Sequence, residues 1–287
     1  MRVSATDVHK RVRHAARHGA VTALSWKARR HEGIQRALST PRVHFVYLHA
    51  VPVHEEPAFR RLLDVVSRSH DLVTHSEAVR RIRSGTVDRP TLSFSFDDAF
   101  ASNYRTAAIL EDYGTVGMFF VPAAFPGTPT VEDARELFGY SSNIDEPALS
   151  WAQLENLVER GHEIGNHTTT HRDLAKIPQA QVVEEIERSA EILTQRLGRT
   201  AHFAWPFGQR SHITPAGVEA SFAAGHETCA SAERGSHSPI TTEPDRPLVL
   251  LRDHLMTSWP LEHNLYFLAK SAESPVAPWT HYPKEWA

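Results

Sequence analysis

The chain has one cysteine in 287 residues, Cys229, which excludes an intrachain disulfide framework and any multi-cysteine zinc site. No apolar run approaches the length of a membrane span. The N-terminus lacks the apolar core of a secretory signal, which points to the cytoplasm. Zinc-finger spacings and aromatic RNA-binding signatures are missing, so nucleic acid is not an expected partner. Repeats and low-complexity segments are missing too. Hydrophobic residues make up 41% and charged residues 23%, the balance of a globular protein able to bury one large core.

The net charge of −3 is unevenly spread. Residues 1–42 hold ten Lys or Arg against Asp7 and Glu32, a local +8, and the rest sums to −11. This basic, helical arm reads as a solvated face packed on the protein, and it also offers a peripheral contact with an anionic membrane surface. Of the nineteen histidines, those without a spaced partner, such as His14, His18, His31, His70 and His75, read as surface or helix-face residues with no chemical task.

From residue 43 strand-like and helix-like segments alternate. "VHFVYLHAV" (43–51) reads as a buried strand. In 57–70, Phe59, Leu62, Leu63 and Val66 recur at helical spacing behind a first-turn proline. Further helices are expected over 76–85, 100–113, 149–161, 178–197 and 215–225, and strands over 91–97, 117–125 and 248–255. Such alternation predicts parallel strands with crossover helices: an α/β, distorted (β/α) barrel of about seven strands in a single domain over 43–260. Residues 261–287 form an extension packing on it.

Three motifs fall at predicted strand ends, where parallel α/β folds gather functional groups. The first, "SFDDA", sets Asp97 beside Asp98. Neighbouring side chains on a strand point to opposite faces, so the two carboxylates have different tasks. The second, "HTTTH", spaces His167 and His171 four apart, within reach of one ion. The third, "AWPFG", supplies Trp205, Pro206, Phe207 and Gly208 as a rigid aromatic wall for a substrate. Two imidazoles and one carboxylate make a facial metal set.

In that order the motifs resemble those of the polysaccharide deacetylase family (carbohydrate esterase family 4, the NodB-like domain). The resemblance covers about residues 43–255, and "FDDAFASNYRTAAILEDYGTVGMFFV" is similar to the subgroup acting on poly-N-acetylglucosamine. It implies a divalent metal, most often zinc, with cobalt, nickel or manganese as alternatives, held by Asp98, His167 and His171. It implies Asp97 as the general base of an acetylated-sugar hydrolase. The sequence departs from the family twice. Ala204 stands where many members carry an arginine that orients the base, and Arg252 stands where the leaving-group acid, a histidine, would align. His49 or His254 then supplies the acid, and Arg252 orients Asp97 in place of the missing arginine. The rival readings are hydrolysis of another amide or imide on the same barrel, and a glycan-binding protein with impaired catalysis.

Overall fold

The computed structural model describes residues 17–26, 28, 33–128, 130–138, 146–240 and 245–286. The basic arm is helical over 17–26 (α1) and Gly33–Leu38 (α2). His14 and His31 lie outside the described residues.

Eight parallel strands follow one path. In spatial order they are Leu248–Leu250 (β8), Thr228–Ala230 (β7), His202–Ala204 (β6), Glu163–Asn166 (β5), Met118–Val121 (β4), Thr91–Asp97 (β3), Val43–Leu48 (β1) and Asp253–His254 (β9). The short strand Asp71–Leu72 (β2) pairs with the start of β3. The segment expected as one strand over 248–255 is therefore two. Leu248 pairs with Thr228, whereas Asp253 pairs with Val46 on β1. Because the two ends of the path are joined through Leu251 and Arg252, the sheet must curl upon itself. That places Arg252 at the seam, and it is what makes this α/β sheet a distorted (β/α) barrel.

Strand alternation sorts the side chains. Leu92, Phe94 and Phe96 of β3 join the cluster beneath the outer helices, including Phe59, Leu62, Leu63 and Val66 of Glu56–Ser69 (α3). Ser93, Ser95 and Asp97 alternate with them. Inside the barrel Val43, Phe45, Met118, Phe120, Ala204, Ala230, Leu248 and Leu250 form a second cluster. Helix Gln179–Leu197 (α8) buries Val182, Ile186, Ser189 and Leu193, so a serine occupies the stripe between Ile186 and Leu193. The other outer helices are His75–Ser84 (α4), Asn103–Asp112 (α5), Val131–Phe138 (α6), Trp151–Glu159 (α7), Pro215–Ala223 (α9) and Leu261–Ala272 (α10).

Two of the histidines without a spaced partner lie in the interior rather than at the surface. His70 and His75 are buried, at 3% and 1% exposure. The His70 Nε2 lies 2.9 Å from the Arg42 guanidinium, and the His75 ring stacks obliquely 4.6 Å from both Phe45 and His202. Isolated in sequence, they serve as interior polar residues. Helix α5 starts three residues later than expected, because the chain turns through Asp98–Ala99 before it can wind. The tail past α10 bridges back to the barrel at Val276 and Trp279. Among the described residues, no helix is long and apolar enough to cross a membrane.

Candidate metal and catalytic site

The three motifs meet at the C-terminal edge of the sheet. Asp98 follows β3, while His167 and His171 follow β5, and their candidate ligand atoms all lie within 4.8 Å of one another. Asp98 Oδ1 is 3.2 Å from His171 Nε2 and 3.5 Å from His167 Nε2. All three residues are buried, and Asp98 Oδ1 has no hydrogen-bond partner. The His167 Nδ1–H donates to the Ala204 carbonyl at 2.7 Å, which fixes the tautomer and leaves the Nε2 lone pair facing Asp98.

Every non-glycine residue with positive φ among the described residues belongs to these motifs: Asp98 (75°), Ala99 (54°), Thr168 (65°), His171 (57°) and Phe207 (62°). Left-handed backbone costs about 1–3 kcal/mol at such positions and persists where surrounding structure enforces it. At Asp98 it breaks the strand alternation, so both carboxylates come within electrostatic reach of His167. At Thr168 and His171 it lets five residues fold back so that both imidazoles face one point, with no helical turn. The enforcing contacts come from Glu185 on α8. Its carboxylate accepts the Thr169 and Thr170 N–H groups at 3.0 and 2.8 Å and the Thr170 hydroxyl at 2.5 Å. Asn166 Oδ1 accepts the Thr168 N–H at 2.8 Å.

Asp97 faces a different partner. Arg252 forks onto it with two bonds of 2.8 and 2.9 Å, fully buried. The guanidinium is itself fixed by the Ser231 carbonyl at 2.7 Å and Ser95 Oγ at 3.2 Å, and it lies 4.7 Å over the Tyr47 ring. Burial works to raise the Asp97 pKa, but the charges of Arg252 and His167 outweigh it and hold it below the ordinary value. Asp98 is held well below its ordinary value despite burial, by His171 and His167. Burial disfavours the charged form of His167, yet Asp98 and Asp97 raise its pKa; for His171 burial prevails and lowers it. Since Arg252 neutralises Asp97, Asp98 remains a buried anion facing two imidazoles. That donor set fits a divalent cation.

His49, one residue past β1, has its Nε2 3.8 Å from Asp98 Oδ2, and its side chain is 42% exposed. Its carbonyl accepts from Asn103 Nδ2 at 2.9 Å. His254 on β9 stacks flat on Tyr47, with centroids 4.6 Å apart, and meets the His49 ring edge-on at 5.5 Å. Burial, reinforced by His49 and Arg234, lowers the His254 pKa to about 3.

The third motif divides its residues. Trp205 is buried among Val218, Val249 and their neighbours, and its Nε1–H donates to the Gln209 carbonyl, so it does not form a cleft wall. Phe207 is 42% exposed and its ring lies 5.0 Å from His171. Gly208 has a φ of 63°, and a Cβ there would fall 2.7 Å from the Ala232 backbone nitrogen, which excludes any side chain.

Residues missed from the sequence are Glu185, Asn166, Ser95 and Ser231. Asn166 adjoins the second motif and could have been found; Glu185, mid-helix among other glutamates, carries no signal.

Residues 84–225 match the polysaccharide deacetylase family. No curated protein matches the chain by sequence. Among solved structures, the deacetylase PplD of Streptococcus pyogenes, solved with acetate, superposes with a TM-score of 0.62 at 18% identity, covering 80% of this chain and 99% of its own. IcaB of Ammonifex degensii superposes at 0.62 and 20% identity, covering 82% and 98%. A de-N-acetylase of Aggregatibacter actinomycetemcomitans gives 0.61 at 16% identity, covering 79% and 99%. At such identities these likenesses speak for the fold, and the family match carries the rest. The matched segment, residues 84–225, belongs to the polysaccharide deacetylase family, hydrolases of carbon–nitrogen bonds in acetylated sugars.

Proposed function

We propose that this protein removes N-acetyl groups from a sugar polymer, with Asp98, His167 and His171 holding a divalent cation, zinc by preference, and Asp97 acting as general base. The observation that supports this reading best is the division between the aspartates: Asp98 Oδ1 faces two imidazoles, whereas Asp97 is gripped by Arg252. A cation held there supplies a Lewis acid for the acetyl carbonyl and for the attacking water. The chain's own groups do the rest. Asp97 takes the water's proton, and Arg252 fixes its carboxylate, the task that an arginine at the position of Ala204 performs in many family members. Backbone N–H groups near Trp205 to Gly208 offer donors to the developing oxyanion.

Amide cleavage needs a proton on the leaving nitrogen. His254, with its pKa lowered to about 3, stays neutral near pH 7. His49, partly exposed beside Asp98, is the acid in this reading, and His254 and Tyr47 form the stack against which it rests. Phe207 lines the acceptor side. The substrate subgroup is the poly-N-acetylglucosamine type suggested by the sequence, acting in the cytoplasm or at a membrane surface touched by the basic arm.

The test is acetate release from N-acetylglucosamine oligomers. Activity should vanish on chelation and return with zinc or cobalt. Hydrolysis of small cyclic imides but not of these oligomers would favour the other amide hydrolase, and binding without turnover would favour the glycan-binding reading.

A further inference from the structure

The tail beyond α10 lies outside the family-matched segment 84–225 and is tied to the barrel by its own backbone. The Val276 carbonyl accepts the Ser238 N–H at 3.0 Å, and the Trp279 carbonyl accepts the Val249 N–H of β8 at 2.6 Å. From there the tail brings three aromatic side chains, Trp279, Tyr282 and Trp286, together and into one cluster with Trp205.

Those contacts fall on both ends of the third-motif loop. At its start, Trp286 meets the fully buried Trp205 indole edge-on, with centroids 6.0 Å apart. At its end, the Tyr282 hydroxyl reaches the Arg210 carbonyl at 3.4 Å and the Trp286 carbonyl at 3.3 Å. The Trp205 Nε1–H closes the loop upon itself by donating to the Gln209 carbonyl at 3.0 Å. Between these anchors stands Phe207, with a left-handed φ of 62° and a half-exposed ring 5.0 Å from His171. A non-glycine residue keeps such backbone only where its surroundings enforce it. Glu185 does this for the loop that carries the two histidines. For the third motif, the tail stands behind the loop in the same way. The Gly208 carbonyl is held separately, by the Ala232 N–H at 2.7 Å, which anchors the backbone after Phe207 independently of the tail.

We propose that the C-terminal tail is a positioning device for the substrate: Trp286 and Tyr282 brace the third-motif loop from behind and so fix the Phe207 ring against the acceptor side of the cleft. This rests on the deacetylase reading above.

The experiment follows the zinc-loaded full chain on an N-acetylglucosamine oligomer and on an aryl acetate, which offers no second sugar unit. Trp286→Ala should raise KM for the oligomer about tenfold, the scale of a lost aromatic pair. Its kcat, its zinc content and its hydrolysis of the ester should stay close to wild type. Trp286→Phe should restore most of the loss, and Tyr282→Phe, which removes one hydroxyl, should raise KM about threefold. Phe207→Ala should raise KM as Trp286→Ala does, and the two together should add little, because both act through one ring. An unchanged KM in Trp286→Ala, equal losses on oligomer and ester, or additive effects with Phe207→Ala would overturn the proposal. Where thermal melts show Trp286→Ala unfolded, Tyr282→Phe carries the comparison, and an unchanged KM there overturns it. If the wild type releases no acetate, the deacetylase reading fails. Calorimetric titration with the same oligomer then decides the brace alone: binding weakened in Trp286→Ala, and no further in the double variant, supports it, while equal affinity or no binding overturns it.

Discussion

Two adjacent carboxylates on a strand would face opposite sides of a sheet, and the left-handed backbone at Asp98 removes that constraint. The result is one edge with two anions in unlike company, Asp97 with a guanidinium and Asp98 with imidazoles. The same scale distinguishes the two candidate acids. His49→Ala should lower kcat on an amide substrate by ~10²–10⁴-fold with the metal still bound. His254→Ala should act far more weakly, since that ring supports His49 by contact. An aryl acetate ester, whose leaving group departs without protonation, should barely register the His49 change. Equal losses for both variants on the amide would reverse the assignment. Motif spacing singles out Asp97, Asp98, His167 and His171 in the sequence, and the last three meet in one cluster. It leaves His49, His254 and Arg252 open because their roles depend on which strands become neighbours, and β9 pairs with β1 across about 200 residues. Trp205 looked like a cleft wall from its motif, yet its indole is buried under α9 and the tail.

At the scale of elements, strand edges present Asp98, His167 and His171, and one helix, α8, braces the loop that carries the two histidines. The loop from β5 is held in its return by Glu185, projecting from α8, which receives two of its backbone N–H groups and one hydroxyl. Glu185→Ala should therefore weaken zinc affinity by ~10–100-fold, the usual loss when a group supporting a metal ligand is removed. Glu185→Gln keeps acceptor oxygen and shape, and should lose much less. Zinc titration of the apoprotein measures both, with thermal melts as a control for folding; unchanged affinity in Glu185→Ala would assign the loop to Asn166 alone. Helix positions were legible from apolar spacing: α3 buries the four residues its sequence pattern marks. The division of 248–255 into two strands was not, because which neighbour each half pairs with, β7 for Leu248–Leu250 and β1 for Asp253–His254, is set by closure of the sheet and not by the local pattern.

The whole molecule is built around histidines held neutral. Burial lowers the pKa of His70, His202 and His254 to about 3 and of His237 to about 4. In the unfolded chain these groups titrate near 6.5. Between the two values the unfolded state binds more protons, so stability falls as the pH falls, and their full contribution is present only above about pH 6.5. Each such histidine forfeits roughly 2 kcal/mol by pH 5, against a typical total stability of about 5–15 kcal/mol. Acid unfolding of the apoprotein, followed by near-ultraviolet circular dichroism, should accordingly begin below pH 6.5 and be complete before pH 4. Retention of native signal at pH 4 would show that these rings are solvated or paired with carboxylates. Composition excluded disulfides at this scale, but it could not say which histidines are interior, because burial of a polar ring depends on packing from several strands.

The central claim is that one aspartate holds the cation while its neighbour moves the proton. Metal content and acetate release, measured side by side on Asp97→Asn and Asp98→Asn, test it most directly. Asp97→Asn should retain about one zinc per chain and lose nearly all turnover, because an amide cannot take a proton from water. Asp98→Asn should lose the zinc itself, and turnover with it. Loss of metal in both variants, or retention in both, would contradict the account.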